Sequence, residues 1–344
     1  MLGQNIGIDL GTEKITAFVE GRGIVFSQDN AIAYDNFNKE TYAIGDAAGE
    51  MLEKTPEALT VKKPIIGGVI SDFSVMTEIL SHFMKKLCGK RVFRPDVIIS
   101  APSAITNLER KTVIEAACTA GAGKVTVIDE PIISALGAGL SIDHPHGTMV
   151  IDLGAGTTDI AIITMGTVAY SASVKTAGDT MDEAIQQYVK KEKNINIGLV
   201  TAKKIKHTVG CAYKRSEEIE MEATGKNYVT GMPEIFNISS TEIYEALKDQ
   251  INYIFDAIVD VMEQSPPELY SDICHEGILL TGGMAKLPGL DRELSARLGI
   301  KVRRAIDPEH CAAKGAGYIL KNIRKMEDHG YNFRMKENIA WVNE

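Results

Sequence analysis

Val150-Ile151-Asp152-Leu153-Gly154-Ala155-Gly156-Thr157-Thr158-Asp159-Ile160-Ala161 reads as a buried apolar strand, a tight turn of glycines and hydroxyls, and a second apolar strand. A chain that turns this sharply on small residues can bring its backbone N–H groups against a phosphate. The aspartate closing the first strand points the same way, toward a metal-bound polyphosphate. Working outward, the same device occurs again near the N-terminus, as Ile6-Gly7-Ile8-Asp9-Leu10-Gly11-Thr12-Glu13-Lys14-Ile15-Thr16-Ala17-Phe18. Both copies run strand, Asp-Leu-Gly, short hydroxyl-bearing turn, strand. One such turn alone is an ordinary hairpin. Two with matching flanks indicate a duplication at half-chain scale, far longer than a solenoid period. Facing each other, they would clamp one nucleotide between two similar halves.

The composition allows this. At 344 residues the chain can build two domains with proper cores. It is 44% hydrophobic and 24% charged, an ordinary globular balance. A formal charge of -9 argues against a general nucleic-acid binder. The cysteines (Cys88, Cys118, Cys211, Cys274, Cys311) form no CxxC pair, which points to a reducing cytoplasm rather than to zinc or disulfides. His144 and His146 lack a third ligand nearby and read as a solvated turn where the chain crosses between domains. No run of 18 apolar residues and no signal peptide is present, so any meeting with a membrane is expected to be peripheral. The Walker pattern and the dinucleotide G-x-G-x-x-G spacing are both missing, which disfavours hydride transfer.

Further along, apolar residues at Met76, Ile79, Leu80, Phe83 and Leu87 predict a helix after Asp72. Lys90-Arg91-Val92-Phe93-Arg94 sets two apolar residues between cations. It reads either as a small membrane-inserting tip or as a loop folded onto the core. Asp129-Glu130-Pro131 sits at the carboxyl end of the strand Val125-Ile128, where open α/β sheets bind ligands. A helix from Ile132 to Gly139 follows, kept small by Ser134, Ala135, Gly137 and Ala138 for close approach to the sheet. Thr201 is expected to cap a helix through His207. Gly277 to Ala285 predicts a strand running into a glycine turn.

The paired hairpins, the strand-end carboxylate before proline and Leu279-Leu280-Thr281-Gly282-Gly283-Met284 resemble the actin-like ATPase superfamily. Gly68-Val69-Ile70-Ser71-Asp72-Phe73, Val127-Ile128-Asp129-Glu130-Pro131, Gly137-Ala138-Gly139-Leu140, Gly178-Asp179 and Asp307-Pro308 sharpen this to a resemblance to the MreB family of bacterial actins. These motifs occur in order over almost the whole chain. The magnetosome actin MamK is a near relative with a similar second hairpin.

The resemblance implies an α/β actin-like fold: two duplicated RNase H-like domains, each with a smaller inserted subdomain, around a central cleft for ATP and Mg2+. The first domain would comprise residues 1–147 plus 318–335, with an insertion at about 30–70. The second would comprise 148–317, with an insertion at about 183–247, leaving 329–344 as a tail. Gly11, Thr12, Glu13 and Lys14 match the first phosphate loop, and Gly154, Ala155, Gly156, Thr157 and Thr158 the second. Asp9 and Asp152 match the aspartates that hold magnesium, mostly through water. Glu130 matches the residue that orients the attacking water, helped by the Thr157 hydroxyl. Gly178, Asp179, Lys203, Lys204, Ile205, Lys206, Gly282, Gly283, Met284 and Ala285 match the rest of the nucleotide site.

The chain also departs from the family pattern. Glu13-Lys14 stands where the family has Ala-Asn, and Lys203 where it has a glutamate near the ribose. A glutamate beside phosphates is unfavourable unless it points away, and a lysine cannot accept from a ribose hydroxyl. Val92 and Phe93 fall where MreB carries its membrane-insertion loop. The expected function is a slow ATPase that polymerises into cytoplasmic filaments at the inner face of the cell membrane. Its expected partners are further copies of itself, an anionic membrane surface and wall-synthesis or organelle-positioning proteins, with no nucleic acid. A magnetosome-organising filament and a non-polymerising actin-like adaptor are the alternatives. A metabolic kinase would need sugar-binding insertions for which the chain has little room.

Overall fold

The computed structural model describes residues 5–89, 94–328 and 334–335. Two sheets share one plan. The first has the order Gly23–Asp29, Lys14–Val19, Ile6–Leu10, Val97–Ala101, Val125–Asp129, with the short strand Arg334–Met335 added at its edge. The second has the order Thr167–Val174, Thr158–Thr164, Thr148–Leu153, Ile278–Thr281, Val302–Arg304. In each, three antiparallel strands are followed by two that run parallel to the first strand of the half. The duplication read from the two hairpins therefore extends to the whole sheet.

Each half carries a small sheet inserted after its third strand. In the first half it is built from Ile32–Asp35, Thr41–Ile44 and Leu59–Lys62. In the second it is built from Ile195–Asn196, Glu220–Asn227 and Pro233–Ser239. The helix Phe73–Cys88 buries the five apolar residues its spacing picks out, and the Asp72 carboxylate accepts from the Val75 N–H at 3.1 Å to cap it. Separate cores fill the two halves, and a third, holding Ile133, Leu136, Val150, Ala316 and Ile319, lies between the sheets.

That middle core surrounds two helices, Glu130–Gly137 and Cys311–Asp328, which cross at backbone contact. A Cβ on Gly315 would lie 1.7 Å from the Ile133 carbonyl oxygen, and one on Gly137 would lie 1.8 Å from that of Cys311. The small residues of the first helix thus serve the approach of a second helix more than the approach to the sheet. That helix also starts at Glu130, two residues before the predicted Ile132. Pro131 falls in its first turn, where no N–H is needed. The last helix meets the first sheet at Ala316, against Gly7.

The helix Leu199–Val209 begins before Thr201, and no side chain of its own N-cap residue, Gly198, caps it. Val92 and Phe93 lie outside the described residues. Among the described residues no helix is long and apolar enough to cross a membrane.

Candidate nucleotide site

The two hairpins have the same length and the same register. Asp9 pairs with Thr16 and Leu10 with Ile15; Asp152 pairs with Asp159 and Leu153 with Thr158. In each turn a glycine N–H closes the loop, Gly11 onto the Lys14 carbonyl at 3.0 Å and Gly154 onto that of Thr157 at 2.9 Å. Gly11 to Lys14 therefore superpose in role on Gly154 to Thr157. The turns face each other closely: a Cβ on Gly156 would lie 2.4 Å from Thr12 Oγ1, so only glycine fits there. Thr12 Oγ1 in turn accepts from the Gly68 N–H at 3.2 Å.

Between the halves lies a cleft of ≈ 670 Å³, the size of a ligand pocket. It gathers Asp9, Gly11, Thr12, Glu13, Lys14, Glu130, Asp152, Gly154, Ala155, Gly156, Thr157, Gly178, Asp179, Lys203, Lys206, Gly282, Gly283 and Met284 from the predicted set. Four predicted residues stand outside its lining. Thr158 is buried and its hydroxyl donates to the Thr176 carbonyl at 2.8 Å. Ile205 and Ala285 are in the core of the second half. Lys204 is exposed on the outer side of its helix. The reason is helical period: Lys203, Lys206 and His207, at i, i+3 and i+4, share the face toward the cleft, while the two residues between them turn away.

Acidic groups converge on the floor of the cleft. Burial pushes the Asp9 carboxyl up to about 7, against the hydrogen bond donated by Ser100 Oγ at 2.9 Å. Asp152 is also raised by burial, although Ser134 Oγ at 2.6 Å and Thr281 Oγ1 at 2.7 Å both donate to its Oδ2. Glu130 is pushed well above the usual range by burial and then by the carboxylates of Asp152, Asp159 and Asp9. Asp159 reaches about 6 through burial, with Asp152 adding to it. It accepts from the Ser103 N–H of the first half at 3.1 Å. The carboxyls of Asp9, Glu130 and Asp152, each raised by burial, offer oxygen donors suited to a hard divalent cation. Such an ion, when bound, neutralises charge on a polyphosphate.

Ser100, Ser134, Thr281 and Asp159 are absent from the predicted set. Ser100 and Thr281 interrupt apolar strands near their carboxyl ends, a signal that the strand-end rule could have used. Ser134 gives no signal in the sequence, because only the fold brings its helix to Asp152. Asp129, next to Glu130, is held at 2.7 Å by the buried Arg110 guanidinium, which fixes the strand end from which Glu130 projects.

On the opposite wall, Lys206 is buried, donates to the Gly178 carbonyl at 2.6 Å and pairs with Asp182 at 2.8 Å. Its ammonium thus ties two helices of the second half together. Lys203 forms an ion pair with Glu13 across the cleft.

Two like sheets, each presenting a phosphate-sized turn and an aspartate to a shared cleft, define an actin-like protein. Known proteins agree. The profile of the MreB/Mbl protein family matches residues 3–328. The cell shape-determining protein MreB of Escherichia coli is 40% identical over 329 residues, 94% of this chain and 95% of that one. The crystal structure of MreB5 of Spiroplasma citri bound to ADP is 34% identical with a TM-score of 0.91, covering 95% of this chain and 99% of that one. A MamK double helical filament, at 21% identity and a TM-score of 0.81 over 92% and 98% of the two chains, shares the fold. The chain belongs to the MreB/Mbl family of cell shape-determining, actin-like proteins.

Proposed function

We propose that this chain binds and slowly hydrolyses ATP with Mg2+, and that it polymerises head to tail into cytoplasmic filaments at the inner face of the cell membrane, organising cell shape and wall synthesis. The observation that carries the reading is the pair of equal hairpins with an aspartate from each sheet on one cleft floor. MreB5 of Spiroplasma citri, a relative of this chain, has been seen with ADP and with AMPPNP.

In this reading the backbone amides of Gly11 to Lys14 and Gly154 to Thr157 cradle the polyphosphate. Asp9 and Asp152 would hold the magnesium, mostly through water, and their raised carboxyls would ionise beside its charge. Glu130 orients the attacking water by position, with the Thr157 hydroxyl beside it. Gly178, Asp179, Gly282, Gly283 and Met284 form the adenosine side. The two halves, divided near residue 147, move about the crossed helices at Gly137 and Gly315. Open-ended assembly follows when one surface of a copy fits a different surface of the next and the rotation does not close. Val92 and Phe93, flanked by cations, supply the membrane contact. Wall-synthesis proteins are the partners of the filament, and the acidic net charge of -9 disfavours nucleic acid.

Sedimentation of the purified protein with and without Mg-ATP, followed by electron microscopy of the pellet, tests this reading. Filaments that depend on ATP are expected. Nucleotide binding without any polymer would instead make the chain a non-polymerising adaptor.

A further inference from the structure

Glu53 stands out for its backbone. It follows the short helix Asp46–Gly49 of the first inserted subdomain and has φ 60°, a left-handed conformation. A side chain with a Cβ is disfavoured there, and glycine would adopt it without the steric penalty. An outlier of this kind is a reason to look for what the side chain does.

The side chain crosses to the other half of the molecule. Its Oε1 accepts from the Leu199 N–H at 2.9 Å and its Oε2 from the Val200 N–H at 3.1 Å. These are the first two amides of the helix Leu199–Val209, whose own N-cap residue, Gly198, has no side chain to offer. A Cβ at Gly198 would lie 2.3 Å from Glu53 Oε2, so the missing side chain also makes room for the carboxylate. One turn further along the same helix, Glu13 of the first phosphate hairpin pairs with Lys203. Two glutamates of the first half therefore grip one helix of the second. That helix puts Lys203, Lys206 and His207 on the wall of the cleft.

We propose that Glu53 is a positioning residue of the nucleotide site: by capping the helix Leu199–Val209 from across the cleft, it holds the cleft wall over a bound nucleoside triphosphate and slows its release. The inference rests on the nucleotide reading above. A carboxylate at a helix N-terminus satisfies otherwise unpaired amides and interacts favourably with the helix dipole. Capping by a residue of the same helix would steady that helix alone. Capping from the opposite half makes the bond depend on closure of the cleft.

The test uses the full-length chain and a fluorescent N-methylanthraniloyl ATP, with release followed on a chase of unlabelled ATP. Glu53→Gly removes the carboxylate cap and also the left-handed strain, two changes of opposite sign, so its thermal midpoint should stay close to that of the parent. Its nucleotide release should nevertheless be about fivefold faster, the size of losing one helix cap. Gly198→Ala, which crowds the carboxylate out while keeping Glu53, should show the same acceleration. Glu53→Gln keeps the acceptor oxygen and should recover part of the slow release. Unchanged release in Glu53→Gly, with the unaltered chain binding normally, overturns the proposal alone. Failure of the unaltered chain to bind the analogue at all overturns the nucleotide reading and this proposal with it.

Discussion

Glu13 of the first phosphate turn and Lys203 of the second inserted subdomain form an ion pair across the cleft. Each looks unfavourable in isolation: an acid beside a phosphate site, and a cation where an acceptor for a ribose is expected. Together they neutralise each other, the Glu13 carboxylate being turned to the Lys203 ammonium. The backbone of the turn keeps its closing hydrogen bond from the Gly11 N–H, so phosphate contact by main-chain amides is compatible with the acid.

The pair is only partly screened from water, with side-chain exposures of 25% for Glu13 and 37% for Lys203. Its coupling should accordingly be modest, about 0.5–1 kcal/mol. A double-mutant cycle on ATP affinity with Glu13→Ala, Lys203→Ala and the double variant should return a coupling of that size. The charge-reversed double variant, Glu13→Lys with Lys203→Glu, should bind better than either single reversal. Additive single effects would rule the coupling out.

Glu130 lies with the Asp9 and Asp152 carboxylates in the cleft, and in the proposed reaction it orients water rather than binding nucleotide. Glu130→Gln should keep ATP affinity within about threefold while single-turnover phosphate release falls about a hundredfold or more. Unchanged phosphate release would show that the attacking water is oriented by another group.

The raised acids predict a pH dependence in protein free of nucleotide and metal. Asp9 is pushed up to about 7 and Asp159 to about 6, in both cases chiefly by burial. A raised carboxyl favours the fold in its protonated form. The stability it contributes is fully present below the ordinary carboxylate range and is lost as pH rises through the folded value. The thermal midpoint should therefore fall between pH 5 and pH 8 in EDTA. Added Mg2+ and ATP should flatten that slope, because the ion replaces the protons as the source of positive charge. A midpoint in EDTA that is flat or rises over this window would contradict the crowding of uncompensated acids.

The helix crossing at Gly137 and Gly315 has no room for a methyl group, with 1.7 Å from a Gly315 Cβ to the Ile133 carbonyl oxygen. Gly315→Ala should destabilise by about 1–3 kcal/mol through forced separation of the helices, despite the better helix propensity of alanine. The urea midpoint should drop accordingly. An unchanged midpoint would mean that the crossing yields without cost.

Much of the fold was legible in the sequence because its signals are local. Alternating apolar residues and an Asp-Leu-Gly turn specify each hairpin within 13 residues or fewer, and the repetition of that unit implied a second half like the first. The glycine-rich turn at Gly282-Gly283 and the strand-end Glu130 were legible for the same reason. Helical phase within 199–209 was harder, since the lysines and the isoleucine are contiguous in sequence. Only the packing of that helix shows that Lys203 and Lys206 face the cleft while Lys204 faces outward.

Other features depend on contacts between distant parts of the chain. The cap of the helix Leu199–Val209 comes from Glu53, 146 residues before Leu199, so no local pattern announces it. Ser134 and Thr281 reach the Asp152 carboxylate from a helix and a strand that meet only when the second sheet and the middle core have formed. The partnership of Glu13 with Lys203 likewise needs the first phosphate turn and the helix Leu199–Val209 brought together. The sequence alone determined the two hairpins, the duplication and the acidic strand ends, because turn chemistry and strand period act over a few residues. The tertiary structure decided which charges neutralise one another and which face of a helix lines the cleft, because packing and electrostatic pairing act through space between residues that the chain itself keeps far apart.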